Sequence, residues 1–155
     1  MSWVQERVEQ IKRAEESQSS QREWQLYSER VIRAKAPEFS RSVWSAMERD
    51  IHEFNDSFPT APHRKIEFHK QPSNRVLIRK PYFPALILEA WLDLEGRAIR
   101  FTCAMTPDSE SSPQRSVGIL RIRLFDDGNL MLFNGEHPLT CEEASRLLLD
   151  PMLSP

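Results

Sequence analysis

The chain has 155 residues, with 21 basic and 23 acidic side chains and a formal net charge of -2. That length bounds it at one domain or two small ones. The 39% hydrophobic and 28% charged composition excludes disorder throughout, and the near balance of charge excludes a strongly basic nucleic-acid coat or a strongly acidic tail protein.

The first sixteen residues carry a charge every few positions and no apolar stretch, unlike a signal peptide. Ser2 and Gln5 have capping-box spacing, and Val4, Val8 and Ile11 then share a helical stripe. Ser17 to Ser20 reads as a polar break. Ser20 with Glu23 makes a second capping box ahead of Trp24, Tyr27, Val31 and Ala34. After Pro37 a new stripe starts with Phe39, Val43, Met47, Ile51, Phe54 and Phe58. At roughly 100° per residue the two stripes lie about half a turn apart. Proline also removes a backbone donor and disfavours helix at the residue before it. The spacing therefore predicts a break or kink at Pro37, with three helices or two with one bent. An unkinked helix could exist only by using opposite faces, as a helix shared between two subunits would.

Beyond Pro59 and Pro62 the pattern turns to alternation, with Ile66 and Phe68, Val76 and Ile78, then Leu86 through Leu94. Glu95-Gly96 is read as a hairpin turn. It sets Leu92 opposite Ile99, Ala90 opposite Phe101 and Leu88 opposite Cys103, with Trp91 facing Arg100 and Glu89 facing Thr102. A polar linker from Pro107 to Ser116 leads to Leu120, Ile122 and Leu124. Asp127-Gly128 is read as a two-residue turn into Leu130 to Phe133, which places Phe125 opposite Leu130 and Arg123 opposite Leu132. That register makes the sheet end apolar on both sides. Thr140 and Glu143 cap a last helix carrying Ala144, Leu147 and Leu148, stopped by Pro151.

Helices followed by strands predict an α+β fold with an antiparallel sheet. The expectation is a single domain over 1–155: residues 1–58 helical, 64–134 an antiparallel sheet of about five to six strands, and 140–150 a closing helix. Charge is uneven along it. Residues 1–63 hold 9 basic and 11 acidic side chains, 64–125 hold 11 and 6, and 126–155 hold 1 and 6.

Candidate chemistry is sparse. The four glycines are never closer than seven positions, which excludes a P-loop or dinucleotide fingerprint, each needing two glycines within about six positions. His52 and Asp56 share a helix face with Glu53 nearby, but a zinc site needs three or more converging ligands. Cys103 sits on an apolar strand face, where a thiol is inert even with His69 as a notional base. Cys141 lies at a helix start, reads as a surface thiol, and has Glu142 and Glu143 beside it. Arginines at 75, 79, 97, 100, 121 and 123, with Lys80, interleave with Tyr82, Phe83 and Trp91, as on a sheet that stacks single-stranded nucleic acid. Glu89, Asp93 and Glu95 neutralise several of them, Arg100 facing Trp91 suggests a cation–π pair, and the pI of 6.1 is low for such a binder.

The composite expectation is a cytoplasmic, non-enzymatic protein-binding or adaptor module that forms a homodimer, with no cofactor and no metal. Its interface candidates are Trp24, Tyr27 and Val31 on the helix and Ile119, Phe125, Leu130 and Leu132 at the sheet end. One alternative is a small enzyme or ligand binder with a pocket between helices and sheet, using His52, Asp56 or Arg100. A weaker one is single-stranded nucleic-acid binding through the basic sheet.

Overall fold

A computed structural model describes residues 2–154. Its fold is α+β, and its first element is one uninterrupted helix, α1 (Trp3–Ser57), where the sequence predicted two or three. Ser2 and Gln5 cap its start as the spacing predicted, with the Gln5 N–H donating to Ser2 Oγ at 3.3 Å and the Ser2 N–H donating to Gln5 Oε1 at 3.1 Å. The helix runs straight through the polar break and the second capping box.

It also continues through Pro37, and tertiary contacts explain why. An interior proline costs a helix about 3 kcal/mol through its missing donor and its ring. Around it Ala36 and Ser40 are fully buried, and the Pro37 carbonyl accepts from Ser40 Oγ at 2.9 Å and Asn74 Nδ2 at 3.1 Å. The same Asn74 side chain accepts from Trp44 Nε1 at 2.8 Å, and its backbone carbonyl accepts the Leu92 N–H at 3.1 Å. One asparagine thus clamps the proline turn of the helix to the sheet. The half-turn mismatch is resolved by leaving one stripe uncovered rather than by bending the chain back.

Seven strands follow: β1 (Glu67–Gln71), β2 (Arg75–Lys80), β3 (Ala85–Asp93), β4 (Ala98–Thr106), β5 (Gln114–Leu124), β6 (Leu130–Asn134) and β7 (His137–Leu139). They pair antiparallel in sequence order, each with the next. The β3–β4 register is the one expected, with Leu92 paired to Ile99, Ala90 to Phe101 and Trp91 to Arg100. The strand missed by sequence is β7, a three-residue edge strand whose central Pro138 breaks the usual signature.

The β5–β6 register departs from expectation by one residue. Phe125 N–H donates to the Asn129 carbonyl at 3.0 Å, so the loop is Asp126, Asp127 and Gly128, with Gly128 at φ 82°. This is the three-residue hairpin with a left-handed glycine rather than the two-residue turn. A slip of one flips every side chain to the other face. Ile122 therefore pairs with Leu132 and Leu124 with Leu130, which puts Leu130 and Leu132 on the core side and off the outer surface.

The final helix, α2 (Cys141–Leu153), opens with the expected Thr140–Glu143 capping box but passes Pro151 to bury Met152. A proline in the last turn forfeits one hydrogen bond, and burial of Leu149 and Met152 offsets that loss. Ser145 Oγ donates to Asp50 Oδ2 at 2.7 Å and ties α2 to α1. Val43, Met47 and Ile51 of α1 and Leu148 and Leu149 of α2 share one core with Ile78, Leu88, Ile99 and Leu120 of the sheet. Both helices cover the same face. Among the described residues the opposite face of the sheet has no helix on it, so Ile119 and Phe125 are not covered by α2.

Candidate functional site

The residues of α1 divide sharply by burial. Every residue from Trp3 to Tyr27 is exposed, and contact with the sheet begins at Ser28 and Ile32. At 1.5 Å per residue this overhang is about 38 Å long. Its tip carries Trp3 at 75% exposure with Val4, Val8 and Ile11, and its base carries Trp24, Leu26 and Tyr27. Between them, Glu15 to Glu23 contains no apolar residue. The predicted interface residues Trp24 and Tyr27 are open to solvent, their rings 5.8 Å apart, while Val31 is half-buried.

The base of the overhang is held by charge. Arg97 donates to Glu29 at 2.6 Å, and Lys35 Nζ donates to the Gly128 carbonyl at 2.9 Å. Beside these anchors lies a cleft of about 420 Å³, bounded by Trp24, Ser28 and Ile32 of the helix and by Arg97 and Leu124 of the sheet. Ser28 Oγ is buried there without a hydrogen-bond partner among the described residues. An unpaired buried hydroxyl is costly, so the cleft has an unmet polar demand beside an apolar floor.

The predicted polar site is not assembled. His52 Nε2 lies 3.6 Å from Asp56 Oδ2, and both side chains are open to solvent at 81% and 71% exposure. Arg100 sits on the uncovered sheet face, the layer away from the helices, and donates from Nε to Asp93 Oδ2 at 2.7 Å. That bond, with a second from the Gly96 N–H, holds the Asp93 carboxyl below its ordinary value. Because the folded pKa is depressed, the contribution is present at neutral pH and is lost as pH falls through the folded value. Asp93→Asn is expected to cost under about 1 kcal/mol at pH 7, since the pair is partly solvated, and to cost nothing in acid. Urea titrations at the two pH values check this.

On the same open face Arg75 pairs with Glu89 at 3.2 Å and Arg79 with Glu67 at 3.1 Å. The expected Arg100–Trp91 cation–π pair is replaced by Arg75, whose guanidinium lies 4.9 Å from the Trp91 ring centre. Arg123 lies 4.5 Å from that of Phe133, which Phe125 meets edge-on. Long arginine stems cover these rings while their heads stay in water. Most of the arginines on this face are therefore neutralised or occupied by aromatic rings, as the composition suggested.

Cys103 and Cys141 are free and half-buried alike, so Cys141 is less accessible than its place at a helix start implied. Burial raises both thiol pKa values, with Glu142 adding to the effect at Cys141. His69 and Cys103 belong to opposite faces of the sheet, and the nucleophile–base pair is not formed. Both thiols are expected to alkylate slowly at neutral pH, at rates that rise together with pH. Mass spectrometry of the native protein after timed labelling measures this, and rapid modification of either thiol contradicts it.

Among the described residues no three His, Cys, Asp or Glu side chains converge as a metal site, and no helix is long and apolar enough to cross a membrane. Comparison with protein-family models, curated proteins and solved structures returns no match for the chain.

Proposed function

We propose that this protein is a non-enzymatic, self-associating protein-binding module whose contact surface is the overhanging half of α1. The observation that carries the reading is the overhang, with apolar side chains exposed at both of its ends. A helix unsupported by packing is marginal in water, and serines at 17, 19 and 20 lower its propensity further. A helix polar all round along its middle is characteristic of a bridge between packed bodies.

Sedimentation at micromolar concentration tests the reading, with a dimer expected. Burying one valine is worth about 1.5 kcal/mol, and a two-fold interface contains it twice. Val8→Glu is accordingly expected to weaken association by on the order of a hundredfold, with any fall in helical circular dichroism confined to the unpaired overhang and the urea midpoint of the sheet and its packed helices unchanged. A wild-type monomer under these conditions sinks the proposal.

A second reading, small-ligand binding, is supported by a hollow of about 480 Å³ between the end of α2 and the far end of the sheet. Leu86, Cys103, Met105 and Pro151 form its apolar lining, with Lys80 among them, and a volume of this order suits a small molecule. Thermal shifts with a panel of amphipathic anions test it, and a flat response rejects it.

A further inference from the structure

A lysine stands on the core side of the sheet. Side chains two apart along a strand share a face, so Val76, Ile78 and Lys80 of β2 all point toward the helices. The first two are fully buried and Lys80 is half-buried. Cross-strand pairing carries this row on from Lys80 to Leu86 of β3, Met105 of β4 and Gln114 of β5. Cover by the helices thins toward it: along β4 the core-facing residues pass from fully buried Ile99 to half-buried Cys103 and Met105. The hollow of about 480 Å³ lies over this row, walled by Pro151 and Ser154 at the end of α2.

Charge in the hollow has one sign. Its described lining contains no Asp or Glu. Arg115 borders it, but pairing with Ala104 places the arginine side chain on the other face of the sheet. On that other face Arg75, Arg79 and Arg100 each meet a carboxylate, whereas Lys80 meets none among the described residues. An ammonium group beside an apolar floor is therefore left to its own resources.

We infer that the hollow binds an amphipathic monoanion, a carboxylate on a slender apolar body about 10 Å long, with the carboxylate on Lys80 Nζ and the body across Leu86, Cys103 and Met105. The inference rests on the small-ligand reading above and adds the charge, length and direction of the ligand. Length follows from the strands. From β2 to β4 is two strand spacings, about 10 Å, and the neutral Gln114 and Ser116 of β5 end the apolar stretch. Charge follows from the single ammonium. A carboxylate makes a charge-assisted hydrogen bond to it, while a second negative charge would lie half-buried without a partner, which is costly. The body covers the thiol of Cys103 and the thioether of Met105, taking apolar surface out of water.

Sodium octanoate, octanol and octylammonium chloride share a chain and differ in head charge, and calorimetric titration of each into the full chain tests the inference. Octanoate is expected to bind at least about tenfold more tightly than octanol, as one hydrogen bond to a charged group provides, and octylammonium is expected not to bind. Lys80→Met keeps the stem and removes the charge, and it should bring octanoate down to no tighter than octanol. Position is read on the wild-type chain with no substitution: octanoate should slow iodoacetamide labelling of Cys103 relative to Cys141, which lies at the opposite end of α2. Equal affinity for octanoate and octanol, or an unaltered preference in Lys80→Met, overturns the inference while leaving a small-ligand hollow standing. Binding that leaves the labelling ratio of the two cysteines unchanged places the ligand elsewhere and overturns it too. Failure of octanoate to bind also overturns it, and a flat response to the wider panel of anions removes the small-ligand reading itself.

Discussion

Asn74→Ala is expected to destabilise the protein by about 3 kcal/mol, read as a fall in the urea midpoint. The change leaves the indole N–H of the buried Trp44 without its acceptor and takes one donor from the Pro37 carbonyl. An unsatisfied buried donor costs about 1 to 3 kcal/mol. Asn74 also sits at φ 57°, beside Ser73 at φ 64°. Alanine in that left-handed region costs a further 1–2 kcal/mol or so. Asn74→Gly separates the two contributions, because glycine keeps the backbone and loses only the amide. It should recover part of the loss, and equal stability of Asn74→Ala and wild type would mean that the clamp does not hold the helix through Pro37.

Gly118→Val should cost about as much, near 3 kcal/mol, at the upper end of what overpacking usually costs. Gly118 pairs with Phe101 across β4 and β5, and the aromatic ring lies directly over it, so any Cβ would overlap the ring. Glycine is required there by close approach, since its φ is not in the left-handed region. Phe101→Leu removes the obstructing ring edge. The double variant should therefore be less destabilised than the sum of the two single changes, in a urea-melt double-mutant cycle. Additive losses would show that the ring is not what excludes a side chain at position 118.

Some of this architecture is legible residue by residue. The β3–β4 hairpin is readable because both faces agree: apolar residues meet on one and Trp91, Glu89 and Arg100 meet partners on the other. The capping boxes at Ser2 and Thr140 are local, each contained within four residues, so spacing alone reveals them. The segregation of helices and strands likewise yields an α+β fold with an antiparallel sheet. Signals of this kind depend on neighbours in sequence, where geometry is nearly fixed by the backbone.

Other features depend on what arrives from elsewhere in the chain. Pro37 is a local breaker, and only the Asn74 side chain, 37 residues away, and the burial of Ala36 and Ser40 let α1 continue. The β5–β6 loop could close with two residues or three, and the single-residue difference moved Leu130 and Leu132 from the surface to the core. His52, Asp56 and Arg100 are compatible with one pocket in sequence, yet the sheet stands between the helix and the arginine. The stripe of Val4, Val8 and Ile11 is plain in the sequence, but its lack of cover is not. Periodicity reports which face of a helix is apolar, whereas burial depends on where the sheet ends. The tertiary structure alone decided that α1 outruns its sheet and leaves that face uncovered.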